Sequence, residues 1–447
     1  TQLAKLGDRM ELGLSVPSTT GTSSAFIQRS APLAYGTCPT SVPTTGLIRV
    51  QKYTSRLLSP VMVSTFAGSG VAGNVDGTAE NASFSNPTGV AVDQVGNVYI
   101  ADQVNNLIRK ITPDGVVKTH AGSGINGTTN GTSANATFNH PFGIAVDSIG
   151  NLYVVDSSNL IRKIATSGVV STLAGGGVGC CTDGLGTNAS FNGPVGIAAD
   201  AMGNVYVADL GNRLIRKISP NGNVSTLAGM SGVVGKTDGP GTSATFLAPS
   251  SVAVDASGTV YVADMNLVRK ISSSGLVTTL ATLTPNLPVW PINGVTVDLI
   301  GNVYVTDYYN FVIRKVTASG NVTTLAGTGS VGSANGLGSV ASFAFATGIS
   351  ADTAGNLYIA DANNNLIRKI TQNSFAPGAA PVVDLGPFGK LVYPIIIKNR
   401  LFYYWDANSD GLTGDAKTHD ELRNLFGQQD VNGNVNPIYA DISDTYR

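Results

Sequence analysis

Charge is scarce in this chain: Asp, Glu, Lys and Arg together make up 12% of its 447 residues. The two signs nearly cancel, 28 acids against 27 bases, for a formal net charge of -1. No single-signed field exists to gather phosphate backbones or anionic lipid, so nucleic acid is excluded as a first reading. Glu and His are scarcer still, with only Glu11, Glu80, Glu421, His120, His140 and His419 in the whole chain. That leaves little material for acid–base or metal chemistry. Cysteine is limited to Cys38, Cys180 and Cys181, which cannot all pair and have no zinc-ligand spacing; they read as bystanders, with one disulfide at most. Uninterrupted apolar runs of the roughly 18–20 residues that a membrane helix needs are also missing. The stretch Leu391–Trp405 is broken by Lys398 and Arg400, and the chain is read as soluble with no membrane span. It opens at Thr1 without a basic-then-apolar leader, so an export signal is expected to have been removed or to lie outside the chain.

What is present is glycine, 54 residues of it, with Ser, Thr and Asn crowding the turns. That composition describes a folded β-rich protein, and the length suggests one large domain with appendages. One block recurs six times: GNVYIAD at 96–102, GNLYVVD at 150–156, GNVYVAD at 203–209, GTVYVAD at 258–264, GNVYVTD at 301–307 and GNLYIAD at 355–361, each followed by a near-copy of NLIRKI. In each copy a stretch like PTGVAVD and the VYIAD string give two strands joined at a GN turn, where positive φ is tolerated. LIRKI and a segment like VVKTHAG, separated by a turn such as Pro113–Gly115, give two more. The repeated Asp93, Asp147, Asp200, Asp255, Asp298 and Asp352 are spaced by 54, 53, 55, 43 and 54 residues. Four short antiparallel strands at that period predict a propeller blade.

These blocks resemble NHL repeats over roughly residues 61–371. The resemblance implies a six-bladed ring used mostly to bind protein, carbohydrate or nucleic acid, with a minority of related propellers acting as lyases or lactonases. The sixth repeat lacks its outer strand, since LIRKI at 366–370 runs into TQNSFAPGAAP, while an orphan VSTFAG stands at 63–68. The orphan is expected to complete the last blade and close the ring.

The expected architecture is therefore all-β: an N-terminal extension over 1–60, a six-bladed propeller of four antiparallel strands per blade over 61–375, and a small α+β domain over 376–447 that looks incomplete. The extension is rich in Thr, Ser and Pro. The last segment carries LVYPIII, LFYYW and a capping box at THDELRNLF, 418–426. Its FYYWDANSDGLTGD string is similar to a C-terminal module of large bacterial surface proteins.

Every repeat closes its second strand on an Asp (102, 156, 209, 264, 307, 361) and carries an Arg in the third (109, 162, 216, 269, 314, 368). Either these form a charged binding ring or each pair is a blade-building ion pair; one copy per blade favours the second. No catalytic residue is assigned. Of the ring's acids only Asp114 and Glu80 stand outside repeated positions; His120 replaces an apolar residue of an outer strand, and His140 precedes a blade. Binding candidates are Trp290, Tyr308, Tyr309 and Phe311, beside the shortened TLTPNLPVWPING loop of the fifth repeat, as a contact site or as repacking around that loop. A calcium loop is a candidate at Asp406, Asn408, Asp410 and Asp415, although Lys417 stands where a bidentate Glu belongs and an Asx turn competes. The preferred functional expectation is a non-catalytic binding or scaffolding module at a bacterial cell surface or in the extracellular space. Its partner would be a protein or a carbohydrate, and it could assemble with itself as an oligomer or filament. The alternative is a propeller hydrolase or lyase of lactonase-like or amidating-lyase-like type.

Overall fold

All five residues of each V-Y-[IV]-A-D-like string are buried, because the strand they form has a packed neighbour on both faces. In the computed structural model of the chain, Tyr99 and Ala101 point into the layer shared with the second blade, and Val98 and Ile100 into the layer shared with the sixth. The structure describes residues 61–176, 181–283 and 292–372 in full, together with the backbone of six further strands nearer the two termini.

Six antiparallel sheets stand around a common axis. The first blade runs, from the axis outward, through Pro87–Val92, Val98–Asp102, Leu107–Ile111 and Val116–Ala121. The others repeat that order. In the sixth, Met62–Ala67 supplies the outermost long strand, pairing antiparallel with Leu366–Thr371 in the register Ile367 with Ala67 and Thr371 with Met62. The ring thus closes as the sequence implies, and the apolar layer between the sixth and first blades joins Ala67, Tyr358, Ala360 and Ile367 to Phe84, Val90 and Ile100 like any other.

Five blades carry an element that the four-strand reading lacks. A two-residue strand, Gly77–Thr78 in the first blade, lies outside the fourth strand and shields its edge. Its counterparts are Gly131–Thr132, Gly184–Leu185, Gly239–Pro240 and Gly336–Leu337. Among the described residues the fifth blade has none, in keeping with its shorter step.

The innermost strands approach too closely for a side chain. A Cβ on Gly89 would collide with the carbonyl oxygen of Phe142, one on Gly143 with that of Val195, and one on Gly348 with that of Thr88, so each glycine seats its blade against the next. The turn after each inner strand is fixed by its Asp. In the first blade Asp93 accepts bonds from the Val95 and Asn97 amides at 3.1 and 2.8 Å and from the Tyr99 hydroxyl at 3.3 Å.

Burial first, and then the Asp of its own blade's turn (Asp93, Asp255 and Asp352), push Tyr99, Tyr261 and Tyr358 up to about 12 from the usual 10.0. Tyr153, Tyr206 and Tyr304 move in the same direction for the same reasons. A phenol that holds its proton more tightly in the folded ring adds stability that is complete below pH 10.0 and is lost as pH rises toward about 12. Alkaline unfolding followed by circular dichroism should coincide with the late part of the phenolate absorbance. Ionisation of these six tyrosines near the ordinary value, with the ring still folded, would contradict the arrangement.

The terminal unit, Thr1–Ser59 with Asn373–Arg447, is separate in its contacts. Within it Glu11–Ser18 pairs with Gly21–Gln28 and Leu47–Arg49, and Lys390–Ile397 pairs with Val382–Asp384 and Arg400–Asp406. The segment 418–426 lies outside the described residues.

Candidate functional site

The axial channel is where a propeller's inner strands converge, and here the residue types converging are Gly, Ser, Thr, Asn and apolar side chains. Among the described residues no Asp, Glu, His, Cys, Lys or Arg lines it. Its hydroxyls are committed to joining blades: Thr88 bonds the Phe142 carbonyl at 3.1 Å, Ser250 the Ile292 carbonyl at 2.6 Å and Thr347 the Thr88 carbonyl at 3.0 Å. The space is about 60 Å³, enough for a few waters and well short of the roughly 300 Å³ of the smallest ordinary ligand pockets.

The repeated Asp and Arg are the most buried charges in the ring. Arg109, Arg162, Arg216, Arg269 and Arg368 have no exposed surface, nor do Asp102, Asp156, Asp209, Asp264 and Asp361. They pair within each blade at 2.8–3.4 Å. Each guanidinium also lies 5.2–5.3 Å from the centre of a Phe ring (Phe84, Phe138, Phe191, Phe246, Phe343) and donates to two loop carbonyls, as Arg109 does to Ser83 and Val75 at 3.0 Å. The pairs pin the loop entering each blade and face no solvent. The Phe belongs to an A-[ST]-F string (82–84, 136–138, 189–191, 244–246, 341–343), repeated five times and absent before the fifth blade. That string is the readable signal that the strand-based reading passes over.

In the fifth blade the clamp is altered. With no Phe beneath it, Arg314 is 19% exposed and turns its Nε to Asp307 at 3.0 Å. Beside it stand Tyr308, Tyr309 and Phe311, which the structure gathers with Phe345 of the sixth blade. Ring centres lie 4.8 Å apart for Tyr308–Tyr309, 4.9 Å for Tyr308–Phe345 and 5.1 Å for Phe311–Phe345. Phe311 and Phe345 sit at φ 55 and 57, the left-handed region, at a cost of about 1–3 kcal/mol each for a bulky residue. At three other junctions the same two positions are joined by an Asn side chain accepting an amide bond, as Asn106 does from His140 at 2.9 Å. Here stacked rings replace that bond. Tyr309 remains 38% exposed.

The remaining candidates are dispersed. His120 packs edge-on against Tyr99, and burial, then Lys110, lower its basicity. His140 is bonded to Asn126 and Asn139, and Asp114 lies in an exposed turn. Among the described residues no three His, Cys, Asp or Glu converge as a metal site. Trp290, Cys38, Cys180, Asn408, Asp410 and Asp415 lie outside the described residues; Asp406 is placed by its backbone alone, opposite Lys390.

Comparisons with known proteins agree with the fold. A family model described as "Teneurin NHL domain" matches residues 124–179, and one described as "NHL repeat" matches 191–218. Human Teneurin-4 is 28% identical over 223 residues, 43% of this chain and 8% of its own length. Teneurin-1 of Caenorhabditis elegans is 32% identical over 182 residues, 37% of this chain and 6% of its own. The chain thus spans about a tenth or less of these teneurins. Protein SUPPRESSOR OF QUENCHING 1 of Arabidopsis thaliana is 30% identical over 170 residues, 35% of this chain and 16% of its own length. Among solved structures, a Bacteroides thetaiotaomicron protein of unknown function superposes with a TM-score of 0.53 at 18% identity, covering 80% of this chain and 90% of that one. At that identity the likeness concerns fold alone. With six blades in a closed ring and these sequence relatives, the chain is a six-bladed β-propeller that carries an NHL-repeat match and is homologous over part of its ring to the NHL domains of teneurins.

Proposed function

We propose that this propeller is a non-catalytic binding or scaffolding module that works outside the cell and meets a protein or carbohydrate partner at the aromatic face of its fifth blade. The observation that carries the reading is a contrast. The channel offers about 60 Å³ and, among the described residues, no ionisable group, whereas the fifth blade spends backbone strain to hold Tyr308, Tyr309, Phe311 and Phe345 together. Tyr is a residue type enriched among interface hot spots, where truncation costs about 2 kcal/mol or more. The teneurin likeness supports a protein-binding role, and the low charge of the chain suits a neutral partner.

The test presents immobilised wild-type ring and a Tyr309→Ser variant to a glycan array and to a panel of purified extracellular proteins. A loss of about 2 kcal/mol corresponds to roughly thirtyfold weaker binding, with an unchanged melting temperature. Equal binding by both would remove the fifth blade from the proposal. Turnover of lactone or ester substrates that disappears in a ring variant such as Asp114→Ala or His140→Ala would replace it with a hydrolase or lyase.

A further inference from the structure

Each of the five buried arginines reaches outward to a second partner, and only three of those partners are carboxylates. Asp76, Asp183 and Asp238 accept from Nη2 of Arg109, Arg216 and Arg269 at 2.7, 2.6 and 2.7 Å. The same carboxylates accept from the backbone amides of Thr119, Thr226 and Thr279 at 3.0–3.1 Å and from the hydroxyls of those threonines at 3.0–3.2 Å. Three donors thus converge on two oxygens. For Asp238, burial favours the protonated acid, but the bonds from Thr279 and Arg269 outweigh it and hold the carboxyl below its usual range.

In the second and sixth blades the same position is Asn130 or Asn335, each followed by Gly. Their Oδ1 atoms accept from Nη2 of Arg162 and Arg368 at 2.8 Å, and Thr172 and Thr65 lie 3.3 Å away through their hydroxyls. An amide supplies one acceptor where a carboxylate supplies two. Among the described contacts neither Asn takes the threonine amide as Asp76 takes that of Thr119, and the NH₂ group of Asn335 donates to the Thr65 hydroxyl at 3.3 Å instead.

We propose that Asn130 and Asn335 are modification sites at which spontaneous deamidation produces the aspartate that three other blades encode. The Gly131 amide nitrogen gives up its proton to water and bonds to Cγ of Asn130, the Cγ–Nδ2 bond breaks, and Nδ2 takes up a proton and leaves as ammonia. Water then adds to Cγ of the cyclic imide and the Cγ–N bond breaks, which restores the backbone amide and leaves an aspartate carboxylate. The Arg162 guanidinium on Oδ1 polarises the amide and stabilises the oxyanion that forms during attack, as donors of an oxyanion hole do. Arg368 serves Asn335 and Gly336 in the same way. Asn130 and Asn335 are exposed, so water has access; the space beside Gly131 is open, and beside Gly336 a Cβ would meet only Val340 Cγ2 at 3.1 Å, a contact that glycine itself does not make. The product carboxylate gains a charge-assisted bond to the arginine and an acceptor for the threonine amide. An isoaspartyl product would lengthen the backbone beside the Gly131–Val170 pairing, so the aspartyl product is the one the folded ring favours.

The test incubates the purified full chain at mildly alkaline pH and reads peptide maps by mass spectrometry against time. Asn221–Gly222, in an exposed turn without an arginine on its amide, serves as an internal clock. Conversion of Asn130 and Asn335 to aspartate by the time Asn221 has converted is the expected result, with one negative charge gained per site. Retention of both amides at that time, or accumulation of isoaspartate alone, overturns the proposal. Separately, Asn130→Asp with Asn335→Asp should melt above freshly prepared wild type, and aged wild type should approach it. Asn130→Gln with Asn335→Gln, whose cyclisation needs a larger ring, should show no such ageing shift. An Asp variant that melts no higher, or a Gln variant that ages identically, equally overturns it.

Discussion

Arg216→Ala is expected to lower the ring's stability by about 3–5 kcal/mol, the range for removing one partner of a buried ion pair. Arg216 has no exposed surface, and its removal strands Asp209, which is equally buried, without its cation. It also leaves the Ser190 and Thr182 carbonyls without donors they now receive at 2.9 and 3.0 Å, and uncovers the face of Phe191. The fifth blade supplies a control within the same molecule. Arg314 is 19% exposed, has no Phe beneath it and meets Asp307 through Nε. Water can solvate whatever Arg314→Ala leaves behind, so its cost should approach the ~1 kcal/mol of a surface pair. Urea denaturation of the two variants beside wild type decides the matter. Equal losses would mean that the buried clamps contribute no more than an exposed one.

Removing residues 1–68 is expected to abolish cooperative folding, whereas removing only residues 1–59 should leave a ring that melts as a unit. The difference is the Met62–Ala67 strand, which pairs with Leu366–Thr371 along its length. Without it the sixth blade keeps three long strands, and Ile367 and Tyr358 lose Ala67 and Phe66 from the layer facing the first blade. Sharp calorimetric melting of the shorter chain would show that the ring holds without closure. A chain starting at residue 60 that fails to fold would assign the ring's stability to the terminal unit instead.

Much of this ring was legible because its signals are periodic. Strand order, blade number and the closing role of 63–68 all follow from strings that recur with the same spacing, and a strand buried on both faces has little choice of residue type. The structural reading of the Asp–Arg pairs was legible from their presence in every blade. The two-residue outer strand was not, since Gly77–Thr78 is too short for a period-two pattern. The partnership between Arg109 and Asp76 spans 33 residues and crosses the loop entering the blade, so no local spacing reveals it. Nor could the sequence show that Phe345, in a different repeat, would join Tyr308, Tyr309 and Phe311, because that contact depends on how adjacent blades seat against each other. The fifth-blade asymmetry was visible; its geometry was not.

The closing strand also decides how the ring would respond to tension. Met62 enters the ring opposite Thr371, where the chain leaves it, so both exits lie at the same end of one antiparallel pair. A pull applied at Met62 and Thr371 themselves therefore parts the pair like a zipper, loading its hydrogen bonds one after another instead of all at once in shear. The other five blades lie behind that clasp and carry no load until it opens. Held at those two points, the ring would behave as a mechanical fuse, yielding first at residues 62–67 and shortening again when the clasp re-forms.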